Sequence, residues 1–177
     1  MDFIKYLILF FILIIAVISD IKSRKIPNKL TFPAIILGLV INLVISFIEK
    51  KSLLMSLRLS LLGFITGIGI YFIPFAIGGF GAGDVKLIAA VGSFMGTRFT
   101  LLAGIYSFII GGVLAILLLL IKTISGNKEE NLNNSIKNIF NFFTYKTPII
   151  PSKSTLPFSF SIFLSVILRL YIVYFLS

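Results

Sequence analysis

The sequence predicts an all-α, polytopic membrane protein of about six transmembrane helices, with a glycine-rich loop before the fourth. Two observations predict it. Of the 177 residues, 58% are hydrophobic and only 12% are charged, whereas an ordinary soluble domain is about 45–50% apolar and about 25% charged. The apolar residues also run in long blocks, and a bilayer span needs roughly 20 of them. The whole chain, residues 1–177, reads as one membrane-embedded domain, with a polar cytoplasmic segment at about 122–155.

The blocks place spans at about 3–19, 31–48, 53–77, 85–96, 99–121 and 156–176. The first resembles a signal peptide in length. It lacks a basic leading region and a small-residue cleavage site, and it ends in Asp20, so it reads as a retained helix. Thr31-Phe32-Pro33 suits the first turn of the second span, where the missing proline N–H costs nothing. The fourth block is short and covers only roughly 18 Å as a helix, which suggests a partial or tilted span. The segment before the last span is rich in asparagine. Within it Ile136, Ile139, Phe140 and Phe143 recur at helical spacing, as in a short interfacial helix. A loosely ordered loop explains the same residues equally well.

The formal charge is +10. In a soluble protein this would suggest nucleic acid. Here the basic residues flank apolar blocks, so the bilayer and its anionic headgroups are the expected partner and nucleic acid is not. Lys22, Arg24, Lys25, Lys29, Lys86 and the lysines of 122–155 fall on one side. Lys5, Lys50, Lys51, Arg58 and Arg98 fall on the other. The positive-inside rule then puts the N-terminus outside, and segments 20–30, 78–86 and 122–155 in the cytoplasm, although Lys50-Lys51 opposes this assignment.

The chain has no cysteine and no histidine. Disulfides, thiol nucleophiles, imidazole bases and the usual zinc ligands are thereby excluded. Hydrolytic chemistry would have to come from carboxylates, or from a hydroxyl paired with a lysine.

Six residues are acidic. Asp2, Glu49, Glu129 and Glu130 sit at the N-terminus or in connections, whereas Asp20 and Asp84 each lie at the edge of an apolar span. Carboxylates beside hydrocarbon are costly and mark functional sites by default, against the plainer reading of helix-end charges among headgroups. Asp20 opens the turn Asp20-Ile21-Lys22-Ser23-Arg24-Lys25-Ile26-Pro27-Asn28, where Pro27 keeps Ile26 out of helical geometry. Asp84 closes Gly78-Gly79-Phe80-Gly81-Ala82-Gly83-Asp84, followed by Val85-Lys86. Four glycines in that stretch disfavour helix and admit a close backbone approach. Asp84 is placed at or near the cap of the next helix.

Two such carboxylates could activate water and protonate a scissile carbonyl. Helix ends would favour Asp84 as the base and Asp20 as the acid, with Lys22 and Arg24 opposing. Lys86 could hold an acidic substrate group or tune the pair; a lysine that snorkels to anchor a short helix is the plainer reading.

Gly81-Ala82-Gly83-Asp84 resembles the GxGD signature of membrane aspartyl peptidases. With Val85-Lys86-Leu87, and with Asp20 ahead of Arg24, Ile26, Pro27 and Asn28, it is similar to type IV prepilin peptidases and archaeal preflagellin peptidases. Leu156-Pro157-Phe158-Ser159-Phe160 resembles a Pro-Phe stretch of that family, without its usual Gly-Pro. The resemblance implies catalysis by Asp20 and Asp84, with Gly81, Gly83, Lys86, Arg24, Pro27 and Asn28 binding substrate or supporting the site. It implies cleavage of the short basic leader of a type IV pilin-like or flagellin-like precursor at the cytoplasmic membrane face, with no metal and no cofactor. Lacking cysteine, and with the second span soon after Asp20, the chain resembles the short, peptidase-only branch, for which methyltransfer is not expected.

Other functions remain open on the residues alone. An ion-coupled transporter or channel would also use intramembrane carboxylates and a broken helix. A presenilin-like peptidase would carry Tyr-Asp where this chain has Ser19-Asp20. A hydroxyl–lysine peptidase could draw on Ser23 or Ser93 with Lys86, and a structural subunit of a pilus assembly would need neither carboxylate.

Overall fold

A computed structural model describes residues 2–76, 80–124 and 158–175. These residues form six helices: α1 (Asp2–Ser23), α2 (Asn28–Ile48), α3 (Leu53–Ala76), α4 (Ala82–Met95), α5 (Thr97–Ile124) and α6 (Phe158–Phe175). There is no strand among them. Five are long and apolar enough to cross a membrane, and α4 is not among the five. At 14 residues it extends only about 21 Å. The interfacial helix considered for 136–143 lies outside the described residues, as do Gly78, Gly79 and most of 122–155.

The distribution of side chains differs from that of a soluble protein: apolar residues cover the outside, and hydroxyls are buried among the apolar residues of the core. Phe3, Phe11, Phe47, Ile73 and many other large apolar residues point outward. The interior holds Ser46, Ser60, Ser93, Thr100, Ser107, Ser159, Ser161 and Ser165. In lipid, apolar surface gives helices no reason to associate, so association relies on close packing of small residues and on hydrogen bonds between helices.

The short α4 is the centre of the bundle, and Leu87 through Phe94 are all buried. Its most extensive packing is on α3, then on α2. Gly63 and Gly67 of α3 lie against Gly92 and Ala89 of α4 so closely that a β-carbon on Gly63 would overlap the Gly92 carbonyl. Asn42 of α2 closes the far end: its Nδ2 donates to Ser60 Oγ at 2.9 Å and to the Ser93 and Phe94 carbonyls at 2.8 and 3.0 Å. Carbonyls in the last turn of a helix have no partner within it, and Asn42 satisfies two of them from a neighbouring helix. Gly96, at φ 76°, then reverses the chain directly into α5, a conformation few other residues tolerate.

Helix boundaries differ from the apolar blocks where polar residues extend a helix past the hydrocarbon. α2 begins at Asn28 rather than near 31, so Pro33 falls inside the helix instead of in its first turn. The glycine stretch also turns helical earlier than its composition suggests. Ala82 and Gly83 already belong to α4, and Asp84 stands in its first turn, bonded to the Gly81 cap as its expected place near the cap requires.

Candidate functional site

α1 buries a single stripe, Leu9, Ile12, Leu13, Ala16 and Asp20, at the spacing of one helical face. Asp20 ends that stripe in the last full turn, at 9% exposure. The chain then reverses in four residues. Arg24 adopts a left-handed conformation (φ 54°), and its N–H bonds the Asp20 carbonyl at 2.8 Å. Ser23 Oγ shares its one hydroxyl proton between the Ser19 carbonyl at 2.8 Å and the Lys25 carbonyl at 3.0 Å. Pro27, extended at φ −70° and ψ 139°, is the cap of α2.

This turn packs on the start of α4. Ile26 is buried and lies against Gly83, where a β-carbon would stand 3.0 Å from Ile26 Cβ. Lys86 Nζ donates to Asn28 Oδ1 at 2.8 Å and stands 5.0 Å from the Phe32 ring centre. Pro27, Asn28, Gly83 and Lys86 thus form the joint between the two turns. Arg24 shapes the first turn through its backbone. Gly81 caps α4 and donates its N–H to Asp84 Oδ2 at 3.2 Å.

The joint brings Asp20 and Asp84 to one end of the bundle. Each is 9% exposed, and they are the buried acidic side chains among the described residues. Ile26, six residues after Asp20, packs on Gly83, which directly precedes Asp84. Two interacting carboxylates resist ionising together, so one retains its proton over a pH range where the other is an anion. Such a pair can take a proton from water and give one to a carbonyl oxygen. Among the described residues no three His, Cys, Asp or Glu side chains gather as a metal cluster.

A family model for type IV leader peptidases matches residues 7–116. The chain belongs to the type IV leader peptidase family. The matched stretch contains both turns, both aspartates and their joint, so the leader-peptidase core comprises α1 through most of α5. Peptide-bond hydrolysis in a multi-pass membrane setting is therefore the chemistry to be explained. Comparison with curated proteins and with solved structures finds no match.

Other features of this leader peptidase had no signal in the sequence. An open apolar groove of about 340 Å³ runs between α2, α3 and α4, lined by Phe32, Phe64, Phe72, Val85 and Lys86 among others. It lies on the face of α4 opposite Asp84, because residues 82, 85, 86 and 89 share one side of a helix and 84, 87, 88 and 91 share the other. Four aromatic rings from distant segments, Tyr71, Phe80, Phe108 and Phe158, also gather beside the glycine turn. No local pattern marks such a cluster, since each ring reads as one more apolar residue of its span.

Proposed function

We propose that this leader peptidase is an aspartyl endopeptidase in which Asp20 and Asp84 act as a pair. It removes the short basic leader of a type IV prepilin-like or preflagellin-like precursor at the cytoplasmic face of the cell membrane, with its N-terminus outside. The observation that carries this reading is the convergence of the two buried carboxylates, 64 positions apart in a chain without histidine or cysteine.

In the proposed reaction the ionised carboxylate takes a proton from a water molecule that attacks the scissile carbonyl. The protonated carboxylate gives its proton to the carbonyl oxygen; on collapse of the tetrahedral intermediate the proton taken from water passes to the nitrogen, the C–N bond breaks, and the hydroxyl proton returns to the second carboxylate as the acid product forms. The two protons belong to the pair rather than to either residue alone. Gly81 N–H stabilises Asp84 whenever it is the anion. Lys86 acts through the joint, holding Asn28 and with it the start of α2, and Gly81, Gly83, Arg24 and Pro27 shape the same turns.

Support comes from the pairing of the carboxylates, the family membership and the resemblance of both turns to prepilin peptidases. The test uses the full chain purified in detergent with a precursor bearing a basic leader and an apolar helix. Asp20→Asn and Asp84→Asn should each lose at least about a hundredfold in cleavage rate, the scale of a general acid or base. Normal cleavage by either folded variant would reject the reading.

A further inference from the structure

Asp84 is held through a turn with almost no side chains of its own. Gly81 supplies the amide that bonds its carboxylate, and Gly83 faces Ile26. The residue that anchors the turn on its other side is Phe80. Its ring lies 4.2 Å from that of Phe158 on α6, 5.5 Å from Tyr71 on α3 and 5.6 Å from Phe108 on α5. Three helices therefore grip one side chain that directly precedes Gly81.

The cage itself is braced. The Tyr71 ring stacks on Phe108 at 5.0 Å and is fully buried. Its hydroxyl bonds Ser107 Oγ. Ser107 donates its only hydroxyl proton to the Gly104 carbonyl at 2.6 Å, so Tyr71 is the donor of the Tyr–Ser bond. That bond ties α3 to α5 directly behind Phe80.

We propose that Phe80 is a positioning residue for hydrolysis: caged by Tyr71, Phe108 and Phe158, its ring fixes the Gly81 amide and thereby the orientation of the Asp84 carboxylate. The inference rests on the aspartyl reading above. Its mechanical basis is that Gly81 and Gly83 carry no side chain, so Phe80, next to the Gly81 cap, is the side chain through which α3, α5 and α6 act on that turn. A misplacement of about 1 Å at a reacting group can cost about a hundredfold in rate.

The test measures kcat, KM and the pH–rate profile of the full-length enzyme in detergent on the same precursor. Phe80→Ala should lower kcat about 10- to 100-fold with KM nearly unchanged. It should also displace the pH profile, because the amide that steadies the Asp84 anion is no longer held. Phe80→Leu, which refills the cage, should recover most of the rate. Phe10→Ala, which removes a ring pair with Phe163 at 5.7 Å more than two helical turns along α1 from Asp20, should keep the wild-type profile.

Wild-type kcat in Phe80→Ala would overturn the inference. So would a loss that follows thermal stability with the pH profile unmoved. Should Phe80→Ala fail to fold, Tyr71→Phe takes its place. Tyr71→Phe keeps the ring and frees Ser107, and it should lower kcat several-fold with a displacement in the same direction. Wild-type behaviour in Tyr71→Phe would then overturn the inference. Inactive Asp→Asn variants beside a normal Phe80→Ala would reject only the role of Phe80. Active Asp→Asn variants would reject the aspartyl reading and this inference together.

Discussion

The two ends of α4 are held by opposite means. At its C-terminal end glycine meets glycine, and Asn42 bonds backbone carbonyls, so the contact is backbone against backbone with little freedom. At its N-terminal end the helix is located by side chains reaching in from elsewhere: Ile26 on Gly83, Lys86 on Asn28, and Phe80 in its ring cage. The first arrangement sets whether α4 is in the bundle at all. The second sets where two carboxylates stand once it is. Substitutions at one end should therefore act on stability and at the other on rate.

The largest expected effect is at the carboxylate end. Asp20→Asn and Asp84→Asn should abolish most cleavage while leaving the melting temperature in detergent unchanged or raised, since each removes a buried ionisable group from a pair that resists ionising together. A melting temperature that falls in step with activity would erase the contrast between the ends. Gly92→Val should do the reverse. Overpacking a filled contact costs about 1–3 kcal/mol, so the melting temperature should drop while the surviving folded enzyme retains its kcat. A stable Gly92→Val protein with impaired kcat would mean that the two ends of α4 are mechanically coupled.

The pH dependence sharpens the account of the site. A pair sharing one proton is active only between its two macroscopic ionisations, giving a bell-shaped profile. Below the lower ionisation both groups are protonated and no base remains; above the upper one both are anions and no acid remains. A rate that rises with pH to a plateau and never falls would leave only one carboxylate at work.

The smallest effects concern the joints. Asn42→Leu should cost about 0.6 kcal/mol for each hydrogen bond lost, the average between membrane helices, read as a modest fall in melting temperature with activity intact. Lys86→Met and Asn28→Ala should be less than additive on kcat/KM. A coupling of about 0.5–1 kcal/mol is expected for a single exposed hydrogen bond, and strictly additive losses would show that the two residues act separately.

Much of this was legible in the sequence because the bilayer imposes long apolar runs. The turns after Asp20 and before Asp84 were legible because proline and glycine leave strong local marks. Helix ends were less so. Hydropathy marks the edge of the hydrocarbon, whereas α2 extends back to Asn28 and α4 to Ala82 through polar or small residues that favour neither state. The partner of Lys86 was not legible, since Asn28 lies 58 positions earlier and only packing of the two turns brings it near. The cage around Phe80 was invisible for the same reason, its four rings coming from four segments. The interior role of α4 follows from Gly63, Gly67 and Gly92, whose significance as a close-contact seam appears only once α3 and α4 are seen side by side.

Proximity of Asp20 and Asp84 in the folded chain can be measured without any substrate. The protein has no native cysteine, so Asp20→Cys combined with Asp84→Cys carries the only two thiols. A short bifunctional thiol reagent should link them rapidly within one molecule, whereas Asp20→Cys with Arg98→Cys, at the far end of the bundle, should not link. A folded 20/84 variant that fails to cross-link, or one that links no faster than the 20/98 pair, would contradict the shared site on which the account depends.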